Sequence, residues 1–453
     1  MARIARRRQR LGLYSLAVVA VFSAVTLALI AGRTSAANSA GSAAKPIKIG
    51  ILTTCGGPFA VFEKESFFGA KLALVDRGGK LQGSSPESGV SGVSVGGHPI
   101  KLSFGCSDAT PDKAVSEARR LVEQVGVDVL LGPLSGDEGI AVASYAKKQP
   151  GKTFVNGTSG AQQTTLKVKA PNFFRFGGDG AQWMAGLGAY AYKTLHWRNA
   201  AILGEDYSYP QTQAAGFIAE FCSLGGKIAS KRIWVPLGTT DWSSPVAQVP
   251  RNVDGFVVLT GGTDTVAVQK AYLALGGDLA KKTVGGSSTM DPTDFVVGDS
   301  LDGVAGASPV PLGSTSAAWK RWSSAFAKSF PKDAGLADSL FSVLYYNGMN
   351  AILQALGAVK GDVSGGEAKF RKALGGLHLN TPNGPIRLDK NRNAIENNYI
   401  VQIVKKNGKL AFKTLKTVRN VSETFGGLFG PSSPAPARNS PPCKKGTPPP
   451  WAR

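Results

Sequence analysis

The sequence predicts an α/β protein of two lobes, each built on a doubly wound parallel sheet. Three observations predict it. Short apolar runs rich in Val, Ile and Leu are each followed by a polar, glycine-bearing loop, then by residues at helical spacing. That pattern runs four times between residues 47 and 160 and restarts near residue 172. The length of 453 residues suits two or three domains of ordinary size.

The first round sets the rule for the rest. Ile47, Ile49, Ile51 and Leu52 read as a buried strand. Cys55-Gly56-Gly57-Pro58 ends it with turn chemistry, and Phe67, Ala70, Lys71, Leu72, Leu74 and Val75 recur at roughly helical spacing. The loop stands at the carboxyl end of its strand, where open α/β sheets bind ligands. A tight turn alone would ask for the same glycines. Residues 78–97 are Gly/Ser-rich and read as an exposed loop. Residues 100–104 form a second strand. Thr110-Pro111-Asp112 then opens a helix with a capping threonine and a first-turn proline. Residues 127–131 are a third strand, and 132–137 a second polar loop before a helix. Residues 153–155 are a fourth strand, with a third such loop at 156–160.

The second lobe starts from the apolar connection 172–176. It reads as a helix at 181–195, a strand at 200–203 with the loop 204–209, a helix at 212–224 and a strand at 228–235. Asp241-Trp242-Ser243-Ser244 caps a helix. A strand at 255–259, a helix at 264–275 and a strand opening at 283–286 follow. Another crossing falls at 302–310, helices at 317–330 and 338–357, and terminal strands at 380–389 and 398–404. Residues 430–453 are Pro/Ser-rich and basic, an irregular tail.

Composition removes several function classes. The chain is 43% hydrophobic and 18% charged, as a globular protein should be. Its net charge is +22, part of it at the ends: Arg3, Arg6, Arg7, Arg8 and Arg10, then Lys444, Lys445 and Arg453. The remainder is spread thinly, without a basic helix or an RNA-binding aromatic motif, so nucleic acid is not the expected partner. Attraction to an anionic wall or membrane surface is a better use of the charge. The N-terminus reads as a signal peptide over residues 1–37. Five arginines precede the apolar run 11–31, and Thr34-Ser35-Ala36-Ala37 offers cleavage after Ala36 or Ala37. If retained, the same run would be long enough to anchor the chain in a bilayer.

Export permits disulfides, and four cysteines follow the leader: Cys55, Cys106, Cys222 and Cys443. Cys55 and Cys106 end two strands that a doubly wound sheet makes parallel neighbours, so they are expected to pair. Cys222 with Cys443 would pin the tail to the second lobe; the alternative is a buried free thiol and an unpaired tail thiol. With His98, His196 and His378 the only histidines, and no Cys-x-x-Cys or His-x-x-x-His spacing, neither a metal nor a cofactor is expected. No Gly-x-Ser-x-Gly stands at a strand-to-helix turn and no Walker loop is present, so an exported hydrolase is a weak reading.

The stretches KIGILTTCGGPFA, DATPDKAVSEARRLVEQVGVDVLLGPLSG, FRFGGDGAQWMAGLGAYAYKTLHWRNAAILGEDYSYPQTQAAGF, VDGFVVLTGGTDTVAVQKAYLALGG and TPNGPIRLDKNRNAIENNYIVQIVKKNGK follow one another in a familiar order. Over roughly residues 47–425 the chain resembles the type I periplasmic solute-binding proteins of ABC importers, of the leucine/isoleucine/valine-binding and amide/urea-binding kind. The resemblance implies two lobes joined by a three-segment hinge, with crossings near Arg175, Ser308 and Pro382. Lobe one would comprise 45–175 and 309–382, lobe two 176–308 and 383–429. It also implies a monomeric, extracytoplasmic binder that is not an enzyme and partners a membrane permease. A branched-chain amino acid, amide or small carboxylate would sit in the interlobe cleft.

The residues that the resemblance aligns with ligand contacts are Phe62, Ser135, Gly136, Thr158, Ser159, Gly160, Tyr209 and Ser287, with Tyr207 as an alternate to Tyr209. The sequence departs from the family twice. Gly136 and Gly160 stand about where hydroxyl residues are expected. Ser287 and Ser288 stand where an acid should meet a ligand amine, so Asp137, Glu205 or Asp291 would have to substitute, or the ligand is not an α-amino acid. A membrane-tethered or exported sensor of the same fold is the alternative, though no output domain follows residue 430.

Overall fold

The computed structural model describes residues 44–453; the expected targeting segment lies outside them. The parallel part of the first sheet is built from β1 (Ile47–Thr54), β2 (His98–Ser107), β3 (Val129–Leu131), β4 (Thr153–Val155) and β5 (Phe173–Phe174), in the order β2-β1-β3-β4-β5, with Ser94–Val95 antiparallel at the β2 edge. Alternation along β1 assigns its two faces. Ile47, Ile49 and Ile51 meet Phe67, Ala70 and Leu74 of α1 (Glu63–Val75), while Leu52 points the other way. On that other face lie Ala114 and Ala118 of α2 (Pro111–Arg119) and Val142 of α3 (Gly136–Ala146). Each fully buried Ile, Leu or Phe contributes about 1.5–3 kcal/mol relative to exposure.

The second sheet repeats the scheme. Its parallel part comprises Lys227–Ile228, β6 (Asn199–Glu205), β7 (Gly255–Leu259), β8 (Thr283–Gly285) and β9 (Ala305–Ser308), in that order. Helices α4 (Ser208–Ser223) and α5 (Thr263–Ala274) cover opposite faces: Ala200 and Ile202 pack with Phe217 and Phe221, Ala201 and Leu203 with Trp242 and Val268. Two helices, α6 (Ala317–Ser329) and α7 (Leu340–Ala358), then return to the first lobe, where Tyr345, Met349 and Ile352 join the core of β1. The hairpin of β10 (Ala394–Lys406) and β11 (Lys409–Val421) closes the second sheet antiparallel to β9.

The α/β fold class is as expected, and several elements differ in detail. Residues 78–97 are not a bare loop: Lys80–Leu81 pairs with Val90–Ser91, and Val90 and Val93 are buried against α1. The helix expected at 181–195 is broken. A turn at Gln182–Met184 gives way at Gly186, which has φ +94°, to a short helical run from Leu187. The buried Glu220 carboxylate accepts from Gly186 N and Ala189 N, both at 2.8 Å, and so caps the second piece. Residues 228–235 form two short strands rather than one. The terminal strand at 380–389 is itself a hairpin, His378–Thr381 with Gly384–Leu388. Helix Ala368–Gly375 and strand β11 were not anticipated.

Both disulfides are present. Cys55–Cys106 joins the ends of β1 and β2 with Cα atoms 5.2 Å apart, and Cys222–Cys443 joins α4 to the tail at 5.4 Å. The tail has little regular structure yet is packed. Ala452 is buried, Trp451 Nε1 donates to Glu220 Oε2 at 3.1 Å, and Arg438 forms an ion pair with Asp206. Its carbonyls also accept from both lobes: Lys167 Nζ reaches Pro431 O at 2.6 Å, and Trp234 Nε1 reaches Arg438 O at 2.9 Å.

Candidate functional site

In each sheet the strand order reverses at one point, between β1 and β3 in the first and between β6 and β7 in the second. Such switch points leave a crevice beyond the strand ends. The two crevices face each other and enclose a small cavity of about 20 Å³, so a ligand enters only as the lobes part. The first lobe supplies Phe59, Phe62, Leu134, Ser135, Thr158 and Phe341. The second supplies Trp183, Tyr207, Tyr209, Gly261 and Ser288. The lobes touch around it: Ser208 N donates to Asp137 Oδ1 at 3.1 Å, and Gln162 N to Thr212 Oγ1 at 3.4 Å.

Aromatic rings run continuously around the wall. Phe341 stacks on Phe62 at 3.8 Å between centroids, Phe62 lies 6.0 Å from Phe59, and Phe59 lies 6.0 Å from Tyr207. Tyr207 is 6.2 Å from Tyr209, which meets Trp183 edge-on at 5.7 Å. These spacings suit favourable ring contacts. Tyr209 belongs to the first turn of α4, not to a loop as expected. Its hydroxyl is buried without a hydrogen-bond partner, and burial raises its pKa.

The two glycines that depart from the family pattern face this wall. A Cβ at position 136 would stand 2.6 Å from Ser208 Oγ and 2.8 Å from Tyr209 Cβ. One at 160 would stand 2.5 Å from Tyr209 Cδ2 and 3.2 Å from Trp183 Cζ3. Here glycine is needed for close approach of the second lobe's rings, not for a turn.

The other expected site residues divide. Phe62, Ser135, Thr158 and Tyr209 line the cavity, and Tyr207 lines it beside Tyr209. Ser135 stands at the N-cap of α3, its amide donating to Glu138 Oε2 at 2.9 Å, while its Oγ is buried without a hydrogen-bond partner. Thr158 Oγ1 donates to Leu134 O at 3.2 Å. Ser159 and Ser287 turn away: Ser159 Oγ donates to Gly136 O, and Ser287 Oγ accepts from Gln213 Nε2. Ser288 takes the cavity position, its Oγ donating to Thr260 O at 2.9 Å.

None of the three candidate acids lines the cavity. Asp137 is held by Ser208 N. Glu205 accepts from Gly261 N at 3.1 Å, and burial beside Asp264 raises its pKa well above the ordinary value. Asp291 accepts from Thr293 and from Ser339 Oγ at 2.9 Å. The lining therefore carries no charged side chain.

Charge is concentrated instead at the chain crossings. Arg175 is wholly buried; its guanidinium donates to Ala161 O at 2.6 Å and Asn393 Oδ1 at 3.2 Å. Around it burial raises Asp179 to about 6, Glu423 to about 7 and Glu396 to about 8. Glu396 Oε1 accepts from Trp183 Nε1 at 3.1 Å, which fixes one ring of the cavity wall. Asn383 Nδ2 donates to Pro309 O at 3.1 Å, tying two crossings together.

Residues 46–409 match a family model described as periplasmic binding protein. The chain belongs to the periplasmic binding protein family. Leu/Ile/Val-binding protein homolog 6 of Brucella melitensis is 23% identical to this periplasmic binding protein over 369 residues, 79% of this chain and 88% of that one. Solved structures of ABC transporter binding proteins share its fold. An ABC transporter substrate-binding protein from Sphaerobacter thermophilus is 22% identical, with a TM-score of 0.73 over 83% of this chain and 99% of that one. A solute-binding protein of an ABC transporter from Rhodopseudomonas palustris, solved with 3,4-dihydroxybenzoic acid, is 24% identical, with a TM-score of 0.73 over 85% and 99%.

The cavity residues that sequence reasoning missed are Phe59, Leu134, Trp183, Gly261 and Phe341. Phe59 and Leu134 stood in loops already marked as strand-end loops. Nothing local marks Trp183 or Phe341.

Proposed function

We propose that this protein is the extracytoplasmic solute-binding component of an ABC importer. It captures a small polar ligand, an amino acid, amide or small carboxylate, between its lobes by hinge closure and releases it unchanged to a membrane permease. The observation that carries this reading is the enclosed cavity formed by two facing switch points. Its lining offers hydroxyls and rings, and no nucleophile paired with a base. Membership of the family and the solved relatives named for ABC transport support it.

In this reading lobe one is 45–175 with 309–394, and lobe two is 176–308 with 395–429, the third crossing falling later than the expected Pro382. The hairpin 378–394 packs Leu379, Ile386 and Ala394 into the first core. The contacts to the ligand come from Phe62, Ser135, Thr158, Tyr209 and Ser288, with Gly136 and Gly160 giving the rings room. The protein acts as a monomer, after cleavage of residues 1–37, at the outer face of the membrane. Native mass spectrometry of protein purified without refolding tests the binding role: a small molecule should be retained, and incubation should return it intact. Its protein-dependent conversion to a product would overturn the reading.

A further inference from the structure

We infer that the cavity selects a monocyclic aromatic acid or phenol and rejects α-amino acids. The inference rests on the solute-binding reading and narrows its ligand. An ammonium enclosed by protein needs a carboxylate beside it. Asp137 and Asp291 are held by partners within the protein, Glu205 is held through Oε1 alone, and none of the three reaches the lining. An α-amino acid would leave its ammonium against rings and hydroxyls alone.

The walls favour a flat apolar body. Phe62 and Phe341 from one lobe face Tyr209 and Trp183 from the other, and edge-to-face or offset stacking with an inserted ring is their natural contact. Gly136 and Gly160 bring Tyr209 and Trp183 closer than any larger residue would permit. Those two positions therefore supply aromatic surface where a side-chain hydroxyl would otherwise stand.

The polar end is also specified. Tyr209 Oη and Ser135 Oγ are both buried and unpartnered, so each is free to donate to a ligand oxygen. Thr158 and Ser288 have already directed their hydroxyl hydrogens to backbone carbonyls, so toward the cavity they can only accept. A phenolic hydroxyl both donates and accepts and satisfies this set. A carboxylate takes the donor side, Tyr209 Oη with Ser135 Oγ at the N-terminus of α3, where the helix favours negative charge and disfavours an ammonium.

The test is titration calorimetry and thermal shift on the exported chain with 4-hydroxybenzoate, benzoate, phenylalanine and leucine. The expected result is binding of 4-hydroxybenzoate about tenfold or more tighter than either amino acid. Tighter binding of phenylalanine or leucine overturns the inference and leaves the solute-binding role standing. Binding of none of the four overturns it too. Turnover of a benzoate would instead sink the solute-binding role. Tyr209→Phe keeps the ring and removes a hydroxyl that no protein group uses, so the free protein should melt unchanged. Its Kd for 4-hydroxybenzoate should rise roughly fivefold; an unchanged Kd overturns the assignment of the polar end.

Discussion

The cavity and the hinge cluster share one residue, Trp183, and handle polarity in opposite ways. On the cavity side its ring stands among neutral residues. On the hinge side its Nε1 binds Glu396, in a cluster with Asp179, Glu423 and the buried Arg175. Buried charge is costly and is tolerated when every member is held in place. In the proposed hinge closure this cluster marks where the lobes would pivot. In the cavity a fixed charge would have to be matched by every ligand. The neutral wall leaves selection to shape and to a few hydroxyls.

The largest effect is expected from removing the hinge cation. Arg175→Met removes the buried cation beside Asp179 and Glu423 and leaves Ala161 O and Asn393 Oδ1 without their donor, and should cost about 3–5 kcal/mol of unfolding free energy. Denaturant midpoints measure it. A loss no larger than that of a surface substitution would show that the cluster is not held by Arg175.

The same cluster predicts a slope with pH. Glu396 is raised to about 8 and Glu423 to about 7, from an ordinary 4.5. Between 4.5 and those values the folded protein holds protons that the unfolded chain has lost. The stability these groups contribute is therefore complete below pH 4.5 and declines as pH rises toward 8. Melting temperatures across pH 5 to 8.5 should fall through that window, and Glu396→Gln should flatten the fall. Ligand affinity should vary less over the same range, because no acid or base lines the cavity. A steeper pH dependence for binding than for melting would erase the contrast.

A smaller effect is expected on the neutral side. Tyr209→Ala should weaken ligand binding by about 1–3 kcal/mol through the lost ring and hydroxyl. Calorimetry on the folded variant decides, and unchanged affinity removes Tyr209 from the site. Smallest of all, Asp137→Asn keeps an acceptor for Ser208 N but removes the charge that bridges the lobes. A loss of about 1 kcal/mol in affinity, without loss of stability, is the expected signature of weakened closure.

Much of the fold was legible because its signals are local. The Ile47, Ile49, Ile51 alternation, the Thr110 cap and the strands at 153–155 and 255–259 each depend on a few neighbouring residues. The pairing of Cys55 with Cys106 followed from strand order. The site was less legible because its parts act across the cleft. Gly136 and Gly160 were visible as departures, but their reason is Tyr209 and Trp183 on the opposite lobe. Phe341 starts a helix far from Phe62 in sequence and meets it only after the chain has crossed back. The break at Gly186 depends on Glu220 from another helix, which no window over 181–195 contains.

The sequence separations of the two bridges, 51 and 221, also have a temporal meaning. Four cysteines allow three pairings. A chain that emerges from its N-terminus presents Cys55 and Cys106 to each other before Cys222 has appeared. At ordinary synthesis rates the wait from Cys222 to Cys443 is on the order of ten to forty seconds. If the chain crosses the membrane as it is made, oxidation in order of appearance selects one pairing of the three, and the last bridge closes only on a chain whose second lobe has been delivered whole.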